Sequence, residues 1–122
     1  MTHQIIIVTA GIFGMLAVIF GAFGAHALKK RLTPEQLQSF EVGVRYQMYH
    51  ALVLLALGFS SYNITTTTFW CFTIGIVLFS FSIYGLVLSD VKRKKMRFLG
   101  PITPIGGLLL VAGWLLVIVN AF

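Results

Sequence analysis

Two histidines stand beside charged boundaries in a chain with few other groups suited to chemistry. His26 lies three residues before Lys29, and His50 lies five residues after Arg45. At the helical rise the imidazoles sit roughly 5 and 8 Å inside those charges. Tyr46, Gln47 and Tyr49 share a turn with His50, and Tyr46 lies one turn before it on the same face. On antiparallel neighbouring helices the two histidines fall at similar depth. The set then reads as a polar site at the mouth of a bundle, suited to a lipid head group, a quinone, or a haem iron between two imidazoles. The plainer reading is an interfacial belt, where Tyr is enriched and His hydrogen-bonds a neighbouring helix. For either residue alone the belt is favoured; for the pair the two readings are even.

Other chemistry is scarce. Two histidines without a carboxylate or cysteine make a weak zinc proposal, because zinc sites take three or four protein ligands. His3 lies at the opposite end of the first apolar stretch. Cys71 is the single cysteine, so there is no intrachain disulfide. There is no Ser/His/Asp set, paired carboxylate, phosphate-cradling glycine loop with a Lys, or CxxC motif. Enzyme is therefore the least supported class, no catalytic residue or metal site is assigned, and no cofactor is expected beyond the haem or quinone alternative. Ser80, Ser82 and Tyr84 read as helix-to-helix hydrogen bonders, and Trp70 and Trp114 as interface or packing residues.

The elements that must position these groups follow from charge. Every charged side chain of the 122 residues lies in one of two segments. Lys29, Lys30, Arg31, Glu35, Glu41 and Arg45 fall in the first; Asp90, Lys92, Arg93, Lys94, Lys95 and Arg97 fall in the second. Charged residues are 10% of the chain and apolar ones 58%. A water-soluble domain needs charge spread over its surface, whereas a membrane protein does not. The sequence therefore predicts a single domain, 1–122, that is an all-α integral membrane protein. A spanning helix needs about 20 apolar residues, which predicts four spans at about 5–28, 46–61, 68–89 and 99–122 in a compact bundle. The polar cluster 60–67 separates the middle two.

Thr33-Pro34-Glu35-Gln36 reads as a helix start with a capping box. It predicts a short amphipathic helix over about 34–43, lying in the cytoplasmic interface and bending near Gly43 into the second span. All nine Lys and Arg fall in the loops that join spans one to two and three to four. Cytoplasmic loops carry that excess, so both termini are predicted outside. Ala25-His26-Ala27 resembles a signal-peptidase site, but positive charge follows the apolar stretch instead of preceding it, and a retained span is expected.

Small residues mark where spans should touch: Gly14, Ala17, Gly21, Gly24 and Ala25 in the first, and Gly106, Gly107 and Gly113 in the fourth. Lipid gives no hydrophobic drive between helices, so close backbone approach matters. The plain reading is packing inside one bundle; the sharper one is that some of these faces join copies in a homo-oligomer.

At GAFGAHAL (21–28) and YQMYHALVLLALG (46–58) the chain resembles the small membrane-protein family called domain of unknown function 423, which includes the transmembrane protein 256 group. The resemblance continues at FSFSIY (79–84) and GPITPIGGLLLVAGW (100–114), so it touches every predicted span. It implies a four-span protein of the bacterial plasma membrane and no established activity. The family's polar positions correspond to His26, Tyr46, Gln47, His50, Ser80, Ser82, Tyr84, Thr103 and Pro104. Phe81 stands where the family typically has glycine, which implies a ring filling a helix contact or a lumen.

Three functions compete. The first is a non-enzymatic membrane protein that binds lipid or a partner protein through its cytoplasmic cations, namely Lys29, Lys30, Arg31, Arg45, Lys92, Arg93, Lys94, Lys95 and Arg97. Juxtamembrane cations suit anionic head groups more than nucleic acid. The second is a haem- or quinone-binding protein using His26 and His50. The third is a passive channel or small-molecule carrier formed by an oligomer. A proton-coupled exporter is disfavoured, because no carboxylate lies deep in a predicted span.

Overall fold

The computed structural model describes residues 2–61, 64–94 and 96–122, and every regular element among them is helical. Helix α1 spans His3–Phe23 and passes into a π turn, Gly24–Leu28. Its first turn is capped by Thr2, whose hydroxyl accepts from the Ile5 N–H. Helix α2 spans Pro34–Phe59. Its start carries a reciprocal capping box: the Gln36 N–H donates to Thr33 Oγ1 at 3.1 Å, and the Thr33 N–H donates to Gln36 Oε1 at 3.0 Å. Two of the orphan donors at the helix end are thereby satisfied.

The third rod joins α3 (Thr66–Ile76), a π turn (Val77–Phe81) and α4 (Ser82–Val91). It ends in a Schellman motif: Arg93 N–H donates to the Asp90 carbonyl and Lys94 N–H to that of Ser89, with Arg93 left-handed at φ 59°. A short 3₁₀ turn, Arg97–Leu99, leads into α5 (Ile102–Asn120).

Three helical rods are long and apolar enough to cross a membrane: His3–Leu28, Thr66–Val91 and Arg97–Asn120. They cover the expected first, third and fourth spans. The residues expected to form a second span fall in the C-terminal half of α2, which ends at Phe59, and α2 is not among the rods long and apolar enough to cross. α2 is 26 residues long, about 39 Å, but Glu35, Gln36, Gln38, Glu41 and Arg45 make its first half polar, and Gln47 and His50 add polar groups to the second. The separate amphipathic helix expected over 34–43 is absent, because α2 runs through Gly43 without a break. A glycine inside a helix costs about 1 kcal/mol relative to alanine. Here packing offsets it, since a Cβ on Gly43 would lie 2.8 Å from the Tyr84 ring. Gly43 is a contact position, not a hinge.

The rods alternate in direction. At one end His3 Nδ1–H donates to the Gly58 carbonyl at 2.8 Å, and Asn120 Nδ2 donates to Thr68 Oγ1 at 3.2 Å. At the other end Gln36 Nε2 donates to Asp90 Oδ2 at 2.8 Å. Both chain ends therefore lie opposite both basic connections. The expected tight turn at 62–67 includes Tyr62 and Asn63, which are outside the described residues.

The interior is apolar around Phe72, Leu54 and Ile76 but also holds polar groups, while much of the surface is apolar. Gln47, Thr68 and Ser80 are at most 1% exposed, whereas Val18, Leu108 and Val111 are more than 60% exposed. Water would not tolerate that distribution over whole helices, and lipid would. Phe13 and Phe20 of α1 meet Phe81 edge-on, and Phe81 also packs on Tyr84. The Phe81 ring thus fills a helix contact.

Candidate functional site

Gln47 is the centre of a buried polar junction. Helix α2 places it against α1 and α4. Its Nε2 donates to the Phe13 carbonyl at 2.8 Å, and its Oε1 accepts from the Tyr84 hydroxyl at 2.7 Å. One turn earlier, Ser80 Oγ in the π turn donates to the Gly43 carbonyl at 2.7 Å. Ser82 Oγ donates to the Phe79 carbonyl, and Ser82 and Thr103 share a hydrogen bond that ties α4 to α5. A polar group left unpaired in an apolar medium costs several kcal/mol. These pairs therefore act as fasteners, and they leave little capacity for a ligand.

His50 is held on both ring nitrogens. Nδ1 lies 2.7 Å from the Tyr46 carbonyl, which can only accept. Nε2 lies 3.1 Å from Trp114 Nε1, whose N–H can only donate. These partners select the neutral imidazole with the proton on Nδ1. A metal or haem iron at Nε2 would have to displace Trp114.

His26 does not join it. Gly21 faces Val44 and Gly24 faces Phe40 across the α1–α2 contact. That register sets His26 level with Gln38, about twelve residues or about 18 Å along the axis from His50. The expected pair at one depth is corrected here: antiparallel helices align by their packing register, not by distance from the nearest charge. His26 is exposed in the π turn. Tyr46 and Tyr49 are also exposed, with Tyr46 stacked loosely on His50 and tilted against Phe79.

The small residues divide. Ala17 is buried, Gly21 and Gly24 press on α2, and Gly113 presses on Phe72. A Cβ on Gly106 would lie 2.3 Å from the Phe79 backbone N. Gly107 makes only ordinary contact with Phe79, a Cβ on Gly14 would meet nothing, and Ala25 is exposed. Gly14 and Ala25 therefore do not pack within the chain.

Lys29, Lys30, Arg31, Lys92, Arg93, Lys94 and Arg97 are all exposed at the Gln36–Asp90 end. Lys95 lies outside the described residues. Arg45 stands apart from them, three turns along α2, and its bridge to Glu41 at 3.7 Å is the one ion pair among the described residues. Reasoning from sequence missed the Trp114–His50 and Gln36–Asp90 bonds. They join residues 64 and 54 positions apart, and no local pattern announces such pairs.

Fold and site together define a small helical membrane protein whose rods are joined by paired polar groups. Residues 20–107 match the family described as "Protein of unknown function (DUF423)". A UPF0382 membrane protein of Staphylococcus saprophyticus is 40% identical, covering 98% of each chain. The UPF0382 membrane protein YwdK of Bacillus subtilis is 38% identical over 97% of this chain and 96% of its own. A Schizosaccharomyces pombe UPF0382 membrane protein is 39% identical over 86% and 91%. No solved structure matches. The chain belongs to the DUF423 family of membrane proteins, whose function is unknown.

Proposed function

We propose that this chain is a non-enzymatic protein of the bacterial plasma membrane that crosses it four times and binds anionic lipid head groups through its basic end. The fourth crossing is the C-terminal half of α2, which shares the depth of three apolar rods. The observation that carries the reading is the gathering of seven exposed cations at one end of rods whose flanks are apolar. Loops rich in Lys and Arg face the cytoplasm, which puts both termini outside. Each cation near an anionic surface contributes roughly 1 kcal/mol.

The test is lipid selection by the purified chain in phosphatidylcholine nanodiscs with or without phosphatidylglycerol. Native mass spectrometry should retain phosphatidylglycerol on the wild type. A variant with Lys92→Gln, Arg93→Gln and Lys94→Gln should retain it at least tenfold less. Equal retention by both proteins would overturn the reading.

A further inference from the structure

Between the first turns of α2 and the start of α5 lies an open cavity of about 560 Å³. Its size is that of a small-ligand site. Val42 of α2 and Ile83, Leu86 and Val87 of α4 make an apolar floor, and Thr103 and Pro104 of α5 form the far wall. Glu35, Gln36 and Asp90 make the polar end. The chain has three acidic residues, and two of them line this one cavity.

Among the described residues those two carboxylates have no counter-ion within ion-pair distance. Asp90 accepts one hydrogen bond, from the Gln36 amide. Neither Asp90 nor Glu35 forms an ion pair among the described residues, although cations crowd the same end of the molecule. An anion would be repelled here, and a purely apolar occupant would leave both carboxylates unmatched. The lining matches a positive head on an apolar stem.

We infer that this cavity binds an amphiphile with an ammonium head, the nitrogen between Glu35 and Asp90 and the stem on Val42, Ile83, Leu86 and Val87. The surroundings favour a membrane lipid with a primary-amine head group: its N–H groups can donate to the carboxylates, which a quaternary ammonium cannot do, while its phosphate meets the basic end. The site goes beyond the anionic-lipid reading: the ammonium rests on Glu35 and Asp90 and does not depend on Lys92, Arg93 or Lys94.

The full chain in a neutral maltoside detergent would be titrated with dodecylammonium, dodecanol and dodecanoate. Dodecylammonium should bind at least tenfold tighter than dodecanol, and dodecanoate more weakly than either. Combining Glu35→Gln with Asp90→Asn should lower dodecylammonium affinity at least tenfold and leave dodecanol unchanged. The amide oxygen introduced by Asp90→Asn can still accept from Gln36, so the fold contact survives. A second variant, Ser39→Trp, keeps both carboxylates but crowds the cavity wall from an exposed position, and it should lose all three ligands. In nanodiscs, phosphatidylethanolamine retained over phosphatidylcholine by the wild type, but not by the carboxylate variant, supports the lipid occupant. Retention of the two lipids alike, with dodecylammonium still selected, overturns the lipid choice in favour of a free amphiphile. Equal affinity for ammonium and alcohol, or carboxylate variants that bind dodecylammonium as the wild type does, overturns the site.

Discussion

Gly106→Ala is the sharpest perturbation available. The added Cβ would lie 2.3 Å from the Phe79 N, 2.7 Å from the Leu78 carbonyl carbon and 2.8 Å from the Phe79 Cα. All three are backbone atoms, so no side chain can rotate away, and α5 must move off the π turn of the third rod. Overpacking of this kind costs about 1–3 kcal/mol, occasionally more. A radial gap of up to about 1 Å forfeits a quarter to a half of the dispersion attraction of the atoms it parts. The same interface holds Gly75 against Leu110 and Gly113 against Phe72, so the loss extends along α5. Alanine recovers about 1 kcal/mol of helix propensity, leaving a net loss of up to about 2 kcal/mol. Gly11→Ala is the matched control: its Cβ would meet nothing within 4 Å, so it should be neutral or stabilising by up to about 1 kcal/mol. Both variants would be unfolded reversibly in mild detergent with a chemical denaturant. If they unfold within about 0.5 kcal/mol of each other, the close approach of α5 to the π turn is wrong, since independent surface changes fall in that range.

Other outcomes follow from the same contacts. Gln47→Leu and Tyr84→Phe should be coupled by about 0.5–2 kcal/mol in a double-mutant cycle, and purely additive losses would show that their hydrogen bond carries nothing. His50→Ala should cost more than about 1 kcal/mol, since it leaves the Trp114 N–H without its acceptor; His26→Ala should stay within about 0.5 kcal/mol. Equal effects at the two histidines would restore the paired reading. Arg93→Gly should raise stability by about 1 kcal/mol, because the left-handed position at the end of α4 penalises a Cβ; a loss in denaturation midpoint would count against the Schellman ending.

Much of the architecture is legible in the chain because lipid is a demanding solvent. Charge-free stretches of spanning length predict rods, and three of the described rods fall where those stretches lie. The capping residues Thr33 and Gln36 mark the start of α2 from four neighbouring positions, since an N-cap is a local contact. The helix that follows is harder. Gly43 reads as a bend when only propensity is weighed, yet α4 lies across it and the bend does not form. The polar site shows the same split. Gln47, Ser80, Ser82, Tyr84 and Thr103 stand out as polar groups in apolar surroundings, and each joins a hydrogen bond between rods or within one. Which partner each finds depends on the rotation and axial register of whole helices, and residue order carries no such information.

The chain by itself determined that its helices face lipid and that its cations gather in two connections, because both follow from where charge can and cannot be solvated. Only the tertiary structure decided that His26 and His50 stand apart, that Trp114 closes the second ring nitrogen of His50, and that Glu35 and Asp90 share a cavity. Composition acts one residue at a time through solvation, whereas those outcomes depend on how rigid rods interlock. Here the interlocking is set by glycines such as Gly106, whose missing side chain lets one backbone rest against another.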